Sequence, residues 1–463
     1  MLELEGGGGE SRIRLSRKGC GIMGIIESSR RSAARAVISG GLAAIGVIPE
    51  RVLVAGGQRC VRYVSYPEGR EFLTTILLLA KRHLKRMSPA VQKSTLNFIA
   101  NALVKGDAKR SHFREETGFD PPILMVISPT MRCNLNCYGC YAGKYLTKDD
   151  LGLGTLERLL FEAEEMGVYF ITISGGEPFM LGEDLLRIME KHPSILFQVY
   201  TNGTLIDRKV ARRLAGVGNV YPCISVEGFE EETDARRGKG VYKKILRAMD
   251  DLREEGVVFG FSATATRENN ELIVSEKFVD FYREMGCLIG WYFHYVPVGK
   301  EPGVELMPTA EQRIFRRREL IERRARHDIL LADFWNDGPL VGGCLAGGRR
   351  YLHINSDGEV EPCVFVHFAV DNIKNKSLKD ILQSPFFTRI RERQPYDENL
   401  FRPCMIIDVP EVLRDVVTAC GAHPTHAGAE AVIEDFATEI DNYSESYREL
   451  ADPEWRDYGV GER

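Results

Sequence analysis

From residue 121 onward, short apolar, β-branched runs recur: ILMVIS (123–128), YFITIS (169–174), LFQVYT (196–201), VYPCISV (220–226), VVFGFSATA (257–265) and WYFHYVPV (291–298). Helical stretches separate them, at 155–166, 183–191, 207–215, 241–255 and 271–285. Strand–helix alternation predicts a parallel sheet covered by helices. Six such units form either an open doubly wound sheet or a partial barrel. In both, the chemistry belongs at the carboxyl ends of the strands. Upstream, residues 66–110 read as helices, and one of them sets Leu73, Ile76, Leu77 and Leu84 beside Lys81, Arg82, Lys85 and Arg86. Such a helix docks on the neighbouring domain or lies on an anionic membrane. Downstream, the charged helix 310–327 is expected to face solvent while it bridges to a C-terminal region. The last segment, 428–463, reads as acidic and helical.

Composition narrows this picture. The 463 residues suffice for two or three domains, and a net charge of −5 gives no global reason to expect nucleic acid. No apolar run reaches the roughly 18–20 residues of a membrane span. Residues 1–60 differ from the rest: they are Gly- and Arg-rich, and 29–48 pairs a twin arginine with a short apolar run. That resembles an export signal, but a disordered tail or a start codon placed too far upstream is the expectation here.

The cysteines change the picture most. There are eleven, an odd number. Three fall in "MRCNLNCYGCYAGKY" (131–145), as Cys133-x3-Cys137-x2-Cys140, just after the first strand. Loop thiolates at this spacing can wrap a cubane iron–sulfur cluster and leave one iron open. The alternative is zinc, but a three-cysteine zinc site usually recruits a histidine nearby, and 141–150 holds none. One strand later comes "ISGGEPFM" (173–180). There Gly175 and Gly176 permit close approach to a ligand, Glu177 offers a carboxylate to an ammonium group, and Pro178 fixes the turn.

Together the two motifs resemble the radical S-adenosylmethionine (radical SAM) superfamily over about 120–300. The resemblance implies that Cys133, Cys137 and Cys140 hold a [4Fe–4S] cluster. It implies that the methionine end of S-adenosylmethionine fills the open iron, held by Gly175, Gly176, Glu177 and Pro178. Asn202 in "YTNGTL", Ser225 and Glu227 in "SVEG", and Arg237 in "DARRGKG" are the further cofactor contacts it implies. "YVPVG" (295–299) would flank adenine. One position departs from the family: Gly139 stands where an aromatic residue usually precedes the third cysteine, and Tyr138 or Tyr141 is expected to substitute for it.

In "CLAGGRRYLHINSDGEVEPC", Cys344 and Cys363 bracket a strand, an Asp-Gly turn and a second strand. Beside a radical SAM domain this resembles a SPASM or Twitch extension, which carries auxiliary iron–sulfur clusters. Cys404 and Cys420 would complete one auxiliary [4Fe–4S] cluster, with His367 or His423 as substitutes for Cys420. Cys223 and Cys287 read as core residues.

The expected fold is therefore α/β: a partial (β/α)6 radical SAM barrel with an N-terminal helical segment and a small C-terminal α+β auxiliary-cluster domain. The boundaries expected are 1–60 tail, 61–118 helical segment, 119–305 radical SAM core, 306–340 linker helix, 341–427 auxiliary domain and 428–463 acidic tail. The expected activity is reductive cleavage of S-adenosylmethionine and hydrogen abstraction from an unactivated C–H. The substrate expected first is a lipid or other hydrophobic molecule, with a peptide- or protein-modifying maturase as the alternative. An electron donor such as flavodoxin or ferredoxin is implied, and the location expected is cytoplasmic, with peripheral membrane contact through the basic helix. A non-enzymatic iron–sulfur carrier would explain the cysteines but not the glycine turn or the six βα units.

Overall fold

The structure, a computed structural model, describes residues 81–101, 106–143 and 150–460, with positions 50, 78 and 79. The expectations for residues 1–49 and 51–77 lie outside this range. Six strands form where the runs stand: β1 Met125–Ile127, β2 Phe170–Ile173, β3 Leu196–Thr201, β4 Val220–Val226, β5 Gly260–Ala265 and β6 Ile289–His294. They lie side by side in chain order, each parallel to the next. That order decides between the two architectures. Right-handed crossovers that always advance in one direction put every helix on one face, whereas a doubly wound sheet must reverse.

The period-two register follows from this. Ile171, Phe197, Val199, Ile224 and Phe261 pack in the core. The alternate positions Thr172, Gln198, Ser225, Ser262 and Trp291 line a cavity on the other face. The sheet is that of the radical SAM barrel.

Three expectations need correction. The span 306–340, expected to be a linker helix, contains a seventh parallel strand, β7 (Leu330–Asp333), paired with β6. The hairpin after Cys344 is built into the same sheet: β8 (His353–Ile354) pairs parallel with β1, and β9 (Val360–Glu361) returns antiparallel. Its Asp-Gly turn forms as expected, with Gly358 at φ +86°.

The charged helix, Ala310–Arg326, does not turn all its charges to solvent. Arg313 and Arg316 are fully buried. Arg313 meets Asp408 at 2.5 Å and stacks 3.8 Å from the Tyr447 ring centroid. Arg316 donates to Asp333 and Asn270, both at 2.8 Å. Tyr447 and Ala451 belong to the terminal helix Ala437–Val460 and are also buried, so this helix packs rather than trails. A run of arginines looks solvated in sequence because nothing local reveals a carboxylate 95 residues away.

Upstream, the helix Pro89–Ala100 is capped by Ser88, whose hydroxyl also donates to the Ala215 carbonyl at 2.8 Å. Arg82 is paired with Glu50 and Asp328. These contacts fit docking on the barrel. Among the described residues, no helix is long and apolar enough to cross a membrane.

Candidate functional site

The loop from Thr130 to Cys140 leaves the end of β1, and three other segments hold its backbone. The Gly176 amide donates to the Thr130 carbonyl at 3.0 Å and the Glu177 amide to the Arg132 carbonyl at 2.8 Å. From beyond β6, the Lys300 amide donates to the Cys140 carbonyl at 2.9 Å. From the helix Glu230–Arg237, Arg236 reaches the Tyr138 and Gly139 carbonyls at 3.3 and 3.2 Å.

This gives Gly175 and Gly176 a role the sequence did not reveal. A Cβ on Gly176 would stand 2.2 Å from the Arg132 carbonyl oxygen, and one on Gly175, at φ +116°, 2.2 Å from that of Thr130. Both glycines admit the cysteine loop itself, besides lining the cavity.

All three sulfur-bearing residues line one cavity of about 190 Å³. All three thiols are free. Burial pushes the Cys133 thiol up to about 11, against a hydrogen bond from the Leu135 amide. Burial also raises Cys137, opposed by the Arg237 charge. Such thiols keep their protons until a metal displaces them. Three thiolates facing one cavity can each take a separate iron of a cubane cluster.

The other expected contacts divide. Asn202, Ser225 and Arg237 line the cavity. Asn202 donates to Asn134 at 2.8 Å, with its amide nitrogen 3.9 Å from the Cys133 sulfur. Glu227 is buried and bridges Arg236 and Arg237 at 2.8 and 2.5 Å. Glu177 is fully buried and accepts from the Asn202 amide, the Thr201 hydroxyl and the Phe179 amide, at 2.7, 2.8 and 3.1 Å. Its carboxylate thus locks the glycine turn to the end of β3. Burial raises its pKa against the pull of those donors. Pro178 opens the short turn Pro178–Leu181.

Of the two tyrosines expected to stand in at the Gly139 position, Tyr141 lines the cavity and bonds Ser174 at 2.6 Å, and Tyr138 lies 5.9 Å from the Arg236 guanidinium. The space beside Gly139 itself is taken by Tyr295, whose ring carbon would meet a Cβ there at 2.9 Å. Tyr295 lines the cavity, and its hydroxyl accepts from the Gly303 amide at 3.2 Å. The signal was present in the sequence, as an aromatic ending the sixth strand opposite a missing one.

The second cysteine group is a trio, not a quartet. The Cys344 thiol is raised by burial and then by the charges of Cys404 and Cys363. Burial pushes Cys404 up to about 12 and Cys363 to about 11. Cys420 ends the helix Pro410–Cys420, and the charges it feels are those of Arg389 and Asp415. The structure therefore does not bring it to the other three. His367 bonds His426 at 2.7 Å, and His423 faces Glu359 at 3.3 Å. Between the two cysteine groups, Phe365 reaches the cavity wall and meets Tyr141 edge-on, with centroids 5.6 Å apart. Tyr351 lines the same wall.

His294, at the end of β6, also lines the cavity and was not foreseen. Burial, with Arg316 beside it, holds its pKa well below the usual range, so it is neutral. Arg316 donates to its Nδ1 at 3.3 Å, which leaves the proton on Nε2, facing Tyr443.

Residues 127–274 match the family model of the Radical SAM superfamily, and residues 344–405 match that of an iron–sulfur cluster-binding domain, SPASM. The chain is 31% identical over 250 residues to Fe-coproporphyrin III synthase of Methanosarcina barkeri. That match covers 51% of this chain and 62% of the relative, so the chain spans less than two thirds of its length. It is 30% identical to mycofactocin maturase MftC of Mycobacterium tuberculosis, over 58% of this chain and 75% of that one. Among solved structures, Streptococcus suis SuiB bound to precursor peptide SuiA shares the fold, with a TM-score of 0.54 at 20% identity over 65% of this chain and 75% of that one. The chain belongs to the radical SAM superfamily, as an enzyme with a C-terminal SPASM domain whose cofactors are [4Fe–4S] clusters and S-adenosylmethionine.

Proposed function

We propose that this chain is a SPASM-type maturase that abstracts hydrogen from an apolar or aromatic side chain of a peptide. The observation that carries the reading is the shared cavity. Cys133, Cys137 and Cys140 share it with Phe365 and Tyr351 of the SPASM region and with Phe170, Trp291 and Phe293. The kinship with a maturase supports a peptide over a free lipid.

In this reading the three loop cysteines hold the catalytic cluster, and Gly175, Gly176, Asn202, Ser225 and Arg237 face S-adenosylmethionine. Arg236 and Glu227 position the loop, while Glu177 fastens the glycine turn. When bound, these cofactors supply one electron and a 5′-deoxyadenosyl radical. The chain's part is to hold the target C–H close and to exclude water. Cys344, Cys363 and Cys404 are the proposed auxiliary ligands. A second reading, a free hydrophobic molecule, is favoured by the apolar wall and by the kinship with Fe-coproporphyrin III synthase.

The test starts from protein reconstituted anaerobically with iron and sulfide. S-adenosylmethionine and dithionite should give 5′-deoxyadenosine, and C133A/C137A/C140A should give none. Persistence of cleavage in that variant would falsify the assignment. Deuterated cell extract, split into protease-sensitive and solvent-extractable fractions, then separates the two substrates. Deuterium should reach 5′-deoxyadenosine from the first fraction; transfer from the second alone would establish the hydrophobic molecule instead.

A further inference from the structure

Tyr351 stands between the auxiliary thiols and the cavity. Its ring is fully buried, forms part of the cavity wall and meets Phe334 edge-on, 5.7 Å between centroids. Its backbone is tied to the Cys344 loop: the Tyr351 amide donates to the Leu345 carbonyl and the Gly348 amide to the Tyr351 carbonyl, both at 3.0 Å. Its hydroxyl lies 2.7 Å from the Cys363 sulfur. A metal-bound cysteine sulfur has no proton to give, so in the loaded protein the phenol is the donor.

We propose that Tyr351 is a redox-positioning residue: its hydroxyl, donated to the Cys363 thiolate, raises the electron affinity of the auxiliary cluster at the wall that substrate touches. The inference rests on the reading of Cys344, Cys363 and Cys404 as auxiliary ligands and deepens it. An electron added to an iron–sulfur cluster spreads onto its sulfurs. A donor aimed at one of them therefore stabilises the reduced state more than the oxidised one. The proton stays on the phenol throughout, so the bond tunes the potential without consuming a co-reactant. Packing fixes the ring, so removing only the hydroxyl should leave the wall intact.

The experiment compares the full-length reconstituted wild type with Tyr351→Phe by potentiometric titration followed by EPR. Iron is counted in both, and C363A identifies the auxiliary signal. At unchanged iron content, the auxiliary midpoint of Tyr351→Phe should become more negative, while the catalytic midpoint holds. An unchanged auxiliary midpoint overturns the proposal. A second measurement compares the same pair: the Phe365 and Val366 amides also bond the Cys363 sulfur, so the reduced auxiliary signal of the wild type should show one more strongly coupled, deuterium-exchangeable proton than that of Tyr351→Phe, and equal numbers are equally fatal. If the wild type carries no second signal, or C363A leaves both signals intact, the auxiliary-ligand reading itself fails, which neither of the other outcomes can mimic.

Discussion

The two cysteine groups are held differently. The loop Cys133–Cys140 is fixed mainly through its backbone: amides of Gly176, Glu177 and Lys300 and the Arg236 guanidinium bond its carbonyls. The second group adds buried side chains to its backbone bonds. The Cys404 carbonyl accepts from the Asp408 and Val409 amides at 3.0 Å. Asp408 also accepts from the Cys404 amide at 3.0 Å and pairs with the buried Arg313, and Tyr351 bonds the Cys363 sulfur. A backbone clamp suits a small cofactor that enters and leaves with each turnover. Added buried side chains suit a cluster that stays.

The contrast can be broken at either end. Asp408→Ala strands the Arg313 charge in the core, and losing one partner of a buried pair costs about 3–5 kcal/mol. Denaturant unfolding should register that loss, and iron content should fall by the auxiliary share. If the catalytic share fell instead, the contrast would be wrong. Gly176→Ala should cost about 1–3 kcal/mol through overpacking and deplete catalytic iron. Gly154→Ala, within the helix Leu153–Glu165 and with nothing within 4 Å of the added Cβ, should gain about 0.5–1 kcal/mol. Equal effects of the two alanines on thermal unfolding would remove the clamp from the argument.

Tyr295→Ala should weaken S-adenosylmethionine binding by about 1 kcal/mol, the low end for a nucleobase on an aromatic ring. Equilibrium dialysis against the reconstituted enzyme measures it, and an unaltered affinity would leave Tyr295 a packing residue only. A further effect is on pH. The Cys404 thiol is raised by burial from 9.0 to about 12. Between those values the unfolded chain gives up its proton first, so the metal-free protein should lose stability as pH rises through this window. The iron-loaded protein has already given that proton to solvent and should stay level there. Parallel slopes for the two forms would contradict the burial of this group.

Much of this was legible in the sequence, because periodicity and motif spacing are local. The six strands stand where the apolar runs predicted them. LFQVYT and VYPCISV coincide with β3 and β4, and the three loop cysteines share one cavity. What was not legible depends on partners distant in sequence. Glu177 was read as a ligand group because a carboxylate beside two glycines looks available. Only the fold brings Asn202 and Thr201 to it. Arg313 and Arg316 were read as solvated because their partners lie on other elements. Cys420 counted as a ligand because counting cysteines ignores direction, and its helix carries it toward Arg389.

The pairing of β8 with β1 has a consequence for how rigidly the two cysteine groups are spaced. The amides of Val126 and Ser128 donate to the Leu352 and Ile354 carbonyls at 3.0 and 2.8 Å, so the strand before the first group and the strand inside the second are rungs of one ladder. Hydrogen-bonded backbone rather than a hinge joins the two regions, and loops elsewhere can lengthen or shorten without loosening that joint.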